Sequence, residues 1–225
     1  MEGTKAVLMV TTSYGRIDDQ HPTGLWFEEF AVPYERFVEE GYVVTVASIK
    51  GGKVPIDPRS LPAEQNTLSV AGPMEALHHT QRLLELDVSE YDAVFFPGGH
   101  GTMFDFSHSR EVAELVTHYL EQGKVVAAVC HGPAALIQAK RRDGTPVVRG
   151  RKVAAFTNEE ERTVQLDGLM PFLLEDKLRD LGAEVWTMSA WQDNVVVDDN
   201  LITGQNPQSS ASAAERVIER LSLSS

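Results

Sequence analysis

The sequence has a single cysteine, fewer basic than acidic side chains, and no long apolar run. Each shortage excludes something. One Cys in 225 residues cannot close an internal disulfide, so a bridged secreted scaffold is ruled out and a reducing cytosol is the expected setting. Lys and Arg number 20 against 33 Asp and Glu, a net charge of −13. That balance argues against nucleic acid and anionic lipid as partners, because both require clustered cations. No stretch approaches the roughly 18 apolar residues of a spanning helix. Met1 to Lys5 lacks the basic region that opens a signal peptide, so neither a membrane partner nor a targeting segment is expected. The G-x-S-x-G of serine hydrolases, the G-K-[ST] of phosphate loops, a complete dinucleotide fingerprint and H-E-x-x-H are also missing, and no Cys/His cluster stands in for them. No metal is expected.

What is present alternates. Lys5 to Thr12, Tyr42 to Ser48, Asp92 to Pro97, Lys124 to Cys130, Lys152 to Phe156 and Asn200 to Thr203 are short apolar runs that suit strands buried on both faces. Helical patterns separate them: Gly24 to Glu40 with Pro33 inside, Arg110 to Gln122 after a capping Ser109, Pro171 to Leu181, and Pro207 to Leu223. Crossover units of this kind build an α/β sandwich. Lys50 to Gln65 and Arg141 to Gly150 read as long surface loops, and the Ser-rich end as a frayed tail. Strand-type sequence resumes after both loops, so neither marks a domain boundary.

The chemistry concentrates in three places. Lys124 to Leu136 runs a buried strand into Cys130, then His131-Gly132-Pro133 and a helix-forming Ala-Ala-Leu. A strand-to-helix turn of this type exposes its residue at the end of the sheet, and a thiol at a helix N-terminus is biased towards thiolate. The plainer reading of a free Cys ending a buried strand is a small hydrophobe. Asp92 to Gly101 ends a second strand in Pro97-Gly98-Gly99-His100-Gly101, where Gly98 or Gly99 offers a backbone N–H to an oxyanion. In the first helix Glu28 shares a face with Glu35 and Glu39, whereas Glu29 lines up with Leu25 and Pro33 beside Trp26 and Phe30. Glu29 is therefore the candidate buried carboxyl, with a raised pKa. Glu159-Glu160-Glu161 reads first as a charged helix start, although one member is available to orient His131. His78-His79 reads as part of a polar helix.

Taken together, the segments FFPGGHGTMFDF, AVCHGPAAL, TGLWFEEFAVPYERF, AFTNEEE and LITGQNPQSS resemble the ThiJ/PfpI superfamily of class I glutamine amidotransferase-like proteins, and within it the glyoxalase III and heat-shock chaperone branch. The resemblance runs from the first strand to the last helix. It implies one domain over residues 1–225, a flavodoxin-like three-layer α/β/α sandwich with a mostly parallel central sheet, and a Cys nucleophile elbow. It places the nucleophile on Cys130, its neighbour on His131, the helix glutamate on Glu29 and the third acid on Glu161, with the register inside Glu159 to Glu161 open because Asn158 replaces an Asp. The oxyanion positions fall on Gly99 and His131. The implied reaction converts methylglyoxal or a related 2-oxoaldehyde to a 2-hydroxy acid without glutathione, metal or other cofactor. A cysteine peptidase or amidase, a protein deglycase, and a holdase chaperone or redox sensor stay open as alternatives. Family members commonly dimerise, and a homodimer is the corresponding expectation, with no interface legible in the sequence. Pocket size is expected to depend on the Lys50 to Gln65 loop and on Trp191.

Overall fold

The computed structural model describes residues 3–63 and 68–223. Along the chain these form β1 (Ala6–Thr11), β2 (Arg16–Asp18), β3 (His21–Pro22), α1 (Phe27–Glu39), β4 (Val43–Ser48), α2 (Leu68–His78), β5 (Gln81–Arg82), β6 (Ala93–Phe96), α3 (Arg110–Glu121), β7 (Val125–Val129), β8 (Lys152–Val153), α4 (Asn158–Thr163), α5 (Leu174–Asp180), β9 (Glu184–Val185), β10 (Val195–Asp198), β11 (Leu201–Gly204) and α6 (Ser210–Ser222), with 3-10 turns between several of them. The main sheet has seven strands in the order β10-β11-β7-β6-β1-β4-β5. Every pairing is parallel except β10 with β11.

Side-chain alternation along the strands creates two apolar layers. In β1, Leu8 and Val10 join Val112, Leu115 and Val116 of α3 and Leu174 and Leu178 of α5 on one face. Val7 and Met9 join Phe30 and Phe37 of α1 and Val217 and Leu221 of α6 on the other. Helices therefore cover both sides of a sheet whose middle strands are buried throughout, the arrangement parallel ladders require. Phe95 of β6 meets Phe37 edge-on, with ring centroids 5.7 Å apart, and ties the sheet to α1.

The structure corrects several sequence boundaries. The helix expected over Gly24 to Glu40 starts at Phe27, with Trp26 as its N-cap, and continues through Pro33. Helical spacing groups Val38 with Phe30, Tyr34 and Phe37 and so predicts an apolar position for it, yet Val38 is exposed. Pro171 to Leu181 is helical only over Leu174–Asp180, and Pro207–Ser209 is a 3-10 turn leading into α6. The apolar run Lys152 to Phe156 is not a strand of the main sheet. Only Lys152 and Val153 are strand, and they pair with β9 in a separate two-stranded sheet. Glu64 and Gln65, at the end of the expected loop, and Ser224 and Ser225 of the tail lie outside the described residues. Among the described residues no helix is long and apolar enough to cross a membrane.

Phe95 is fully buried at the sheet–helix junction. Phe95→Ala is expected to cost about 3–5 kcal/mol in urea denaturation. Val197→Ala, at an exposed edge position, is expected to stay within about 0.5 kcal/mol.

Candidate active site

The carboxyl ends of β6 and β7 lie side by side, and the candidate residues gather beyond them. Cys130 follows β7 directly and has φ 61°, in the left-handed region that disfavours side chains. Two hydrogen bonds hold it there: its N–H donates to Gly204 O and its carbonyl accepts from Phe156 N–H, both at 2.9 Å. Strain of this kind, of order 1–3 kcal/mol, persists only where neighbours fix the backbone from more than one side. The segment that follows, Gly132–Leu136, is one short 3-10 helix rather than an α-helix.

The loop after β6 packs against this turn at the closest approach glycine allows. A Cβ on Gly98 would lie 2.7 Å from His131 N, and one on Gly99, whose φ is +99°, would lie 2.2 Å from Gly24 O. The Thr102 hydroxyl bridges the two loops, hydrogen-bonding to Gly99 O and His131 O at 2.9 Å each. The N–H groups of Gly99 and His131 have no acceptor among the described residues. The Gly98 N–H faces the Glu29 carboxyl instead. Of the two glycines weighed as oxyanion donors, Gly99 is the one that lines the cavity.

His131 is fully buried. Its Nδ1 lies 3.5 Å from Cys130 Sγ and its Nε2 lies 2.6 Å from Glu161 Oε2. The other Glu161 oxygen, Oε1, lies 2.6 Å from His100 Nε2. Burial would push the Glu161 carboxyl up, but the charge on His131 and the hydrogen bonds from His100 and His131 outweigh it, holding the carboxyl below the ordinary range. An ionised Glu161 accepts from both imidazoles, so His131 carries its proton on Nε2 and turns the Nδ1 lone pair to the thiol. His100 is pushed down to about 4, chiefly by burial and by His131, against the pull of Glu161.

The run of three glutamates resolves into three roles. Glu159 is exposed. Glu160 caps its own helix through Thr157, and its other oxygen accepts from Trp191 N–H, Asn206 Nδ2 and Gln205 Nε2. Glu161 alone reaches His131. Asn158, which replaces the Asp of the resembling motif, ties α4 to α5 by donating to Asp176 and to Glu175.

Glu29 is fully buried, whereas Glu28 is exposed, as the helical spacing indicated. Its two oxygens have no hydrogen-bond partner of good geometry, although the Cys130 thiol and Gly98 N–H face it. Burial holds this carboxyl well above the usual range, so Glu29 is a neutral acid beside the sulfur. The thiol departs from expectation. Burial, then the neighbouring Glu29 and the more distant Glu160 and Glu161, push Cys130 well above an ordinary cysteine. A five-residue 3-10 turn does not offset that, so the resting sulfur is a thiol and not the thiolate expected from a helix N-terminus.

Above Cys130 lies a small cavity of about 50 Å³, lined by Trp26, Arg59, Gly99, His131, Phe156 and Trp191 among others. Arg59 comes from the Lys50 to Gln65 loop, so that loop and Trp191 do shape the pocket. Sequence reasoning missed His100. It was visible inside the Gly-Gly-His-Gly turn, but no spacing rule ties it to residues from two other loops. His100, His131 and Glu161 also form the one metal-ligand-type cluster among the described residues. Their ligand atoms are already paired as N–H···O bonds, and a metal would have to break both.

Residues 27–220 match the model of the DJ-1/PfpI family. The chain belongs to that family. A glutathione-independent glyoxalase of Schizosaccharomyces pombe, hsp3101, is 32% identical, the match covering 96% of this chain and 95% of that protein. The crystal structure of glyoxalase III from Candida albicans superposes with a TM-score of 0.85 at 28% identity, over 96% of this chain and 97% of that one. The Rapid Encystment Protein of Francisella tularensis superposes with a TM-score of 0.92 at 36% identity, over 97% and 99%. The family fold thus carries the α/β sandwich expected from the sequence.

Two outcomes follow from the buried polar groups. Glu160→Ala, which strips the cap of α4 and orphans the donors on Trp191 and Asn206, is expected to cost about 2–4 kcal/mol, and Glu159→Ala less than about 0.5 kcal/mol, both by urea denaturation. His100 titrates at about 4 folded and 6.5 unfolded, so unfolding takes up a proton between those values. The stability that His100 contributes falls as pH drops from 6.5 towards 4. Glu161, whose folded pKa is depressed, adds a loss below 4.5, whereas the buried Glu29 and part-buried Asp105 carboxyls, whose folded pKa values are raised, contribute with the opposite sign. The urea midpoint of the wild type relative to that of His100→Gln, in which only this imidazole is changed, should be level from pH 8 to 7 and decline below 6.5.

Proposed function

We propose that this protein is a glutathione-independent glyoxalase that converts methylglyoxal and similar 2-oxoaldehydes to 2-hydroxy acids, D-lactate in the case of methylglyoxal. The observation that carries the reading is the Cys130–His131–Glu161 alignment opening onto a small, aromatic-walled cavity. The relative from Schizosaccharomyces pombe and the solved structure from Candida albicans are likewise glyoxalases. A cavity of about 50 Å³ suits a three-carbon aldehyde better than an extended peptide, which favours this chemistry over peptide hydrolysis.

The steps balance without an external oxidant. His131 Nδ1 takes the thiol proton as Sγ adds to the aldehyde carbon, giving a hemithioacetal whose oxygen accepts from the Gly99 and His131 N–H groups. Glu161 holds the imidazolium. Glu29, neutral and beside the sulfur, supplies the proton that turns the alkoxide into a hydroxyl. The Glu29 carboxylate left by that transfer then removes the C1 hydrogen as a proton while the His131 imidazolium protonates the C2 oxygen, giving an enediol. Glu29 returns its proton to C2 as His131 takes one from the C1 hydroxyl. C1 is now a thioester, oxidised by the two electrons that reduced C2. Water cleaves the thioester, releasing the hydroxy acid and the thiol.

Cys130→Ala should abolish turnover of methylglyoxal, and Glu29→Gln, which removes the proton donor, should lower kcat at least tenfold. The assay is aldehyde loss and stereospecific lactate detection with purified protein lacking added thiol. No turnover of any small 2-oxoaldehyde by the wild type would overturn the assignment.

A further inference from the structure

Glu161 is gripped from two sides, and Cys130 activation by His131 explains only one of them. The second grip belongs to His100, which lines the cavity wall without a hydrogen bond to the sulfur and sits with its ring centroid 4.1 Å from that of His131. We propose that His100 is a positioning residue for the nucleophile, acting through Glu161, and that the Asp57–Arg59 pair fixes its tautomer. The proposal rests on Cys130 being the nucleophile and not on the identity of the substrate.

The tautomer follows from donor and acceptor types. Arg59 Nη2 lies 3.5 Å from His100 Nδ1, and a guanidinium only donates. His100 Nδ1 must therefore be the acceptor and Nε2 must carry the proton, which is aimed at Glu161 Oε1. Arg59 itself has little freedom. Its Nε and Nη2 bind the two oxygens of Asp57 at 3.0 and 2.6 Å, a forked pair with a fully buried carboxylate. Asp57 also accepts from the Arg59 backbone N–H and from the Thr23 hydroxyl. The outcome is one directed chain of contacts, Asp57–Arg59–His100–Glu161–His131–Cys130, that begins on a buried carboxylate, passes through a part-exposed arginine and ends on the sulfur.

The groups facing Glu161 are few. His100 and His131 contact it, Arg59 and Cys130 stand one residue further along each arm, and the neighbouring Glu160 carboxylate is committed to Thr157, Trp191, Gln205 and Asn206. Among the described residues no other side-chain donor contacts the buried carboxylate to compensate it if one arm is removed. Without the His100 donor, Oε1 is an orphaned anionic oxygen in an apolar wall, and the carboxyl gains affinity for a proton. A protonated Glu161 no longer accepts from both rings, so His131 loses the bond that keeps its Nδ1 turned to the thiol.

The test reads Cys130 directly, by the rate of its alkylation with iodoacetamide from pH 5 to 8. In His100→Leu the rate at pH 5 should fall at least tenfold relative to wild type, while the rate at pH 8 stays within threefold. His100→Gln, which keeps an N–H donor of similar reach, should restore most of the loss. Arg59→Met should shift the profile in the same direction by a smaller amount. A wild-type profile in folded His100→Leu, or a His100→Gln as impaired as His100→Leu, would overturn the proposal. If His100→Leu does not fold, Arg59→Met decides: an unchanged profile counts against. Alkylation needs no aldehyde, so these outcomes stand apart from the success or failure of the glyoxalase assay.

Discussion

One buried carboxylate organises the site. Glu161 receives two N–H donors at 2.6 Å from loops that are remote in sequence, one following β6 and the other following β7. Burying such an ion is costly, and charge-assisted bonds on both oxygens are what make it tolerable. The same bonds fix the rings that supply them. The α4 capping box around Thr157 and Glu160 then sets where the carboxylate stands. Three separate segments are thereby pinned to one point, and the sulfur inherits its partner from that point rather than from its own neighbours in the chain.

The division of labour around Cys130 differs from what a helix dipole would give. The backbone is bent into the left-handed region and clamped by Gly204 and Phe156, which aims the side chain. No long helix follows to stabilise negative charge. In the proposed mechanism proton removal falls to His131, the side chain whose Nδ1 lies nearest the sulfur, and the nearest acid, Glu29, is held protonated by burial. Of the acidic surplus, Glu29, Glu160 and Glu161 are withdrawn from solvent and each does something different.

The strand cores were legible because a strand buried on both faces is apolar: β6 and β7 are so throughout, β1 and β11 apart from one threonine each, and the part-buried β4 still carries three valines. The run Lys152 to Phe156 obeys it too and yet leaves the sheet after two residues. Apolar content reports burial, whereas pairing depends on where the chain has room to lie. The strand at Val195–Asp198 was missed because an edge position exposes part of it and weakens the signal. Glu29 was separated from Glu28 by helical spacing alone. Spacing could not separate Glu160 from Glu161, since both are buried and adjacent, and only the cap geometry assigns them. His100 lay in plain view within a glycine-rich turn. What makes it part of the site is a meeting of three loops, and no local pattern encodes that.

The raised thiol has a consequence for the lifetime of the molecule. Peroxide and most electrophiles attack the thiolate, so a sulfur that rests protonated behind Trp26, Phe156 and Trp191 is a slow target. On the proposed mechanism its reactivity rises when its proton passes to His131. A protein with one cysteine has no second thiol to resolve a sulfenic acid internally. Keeping that sulfur dormant between encounters is therefore a form of durability, obtained from the same burial that makes its ground state unreactive.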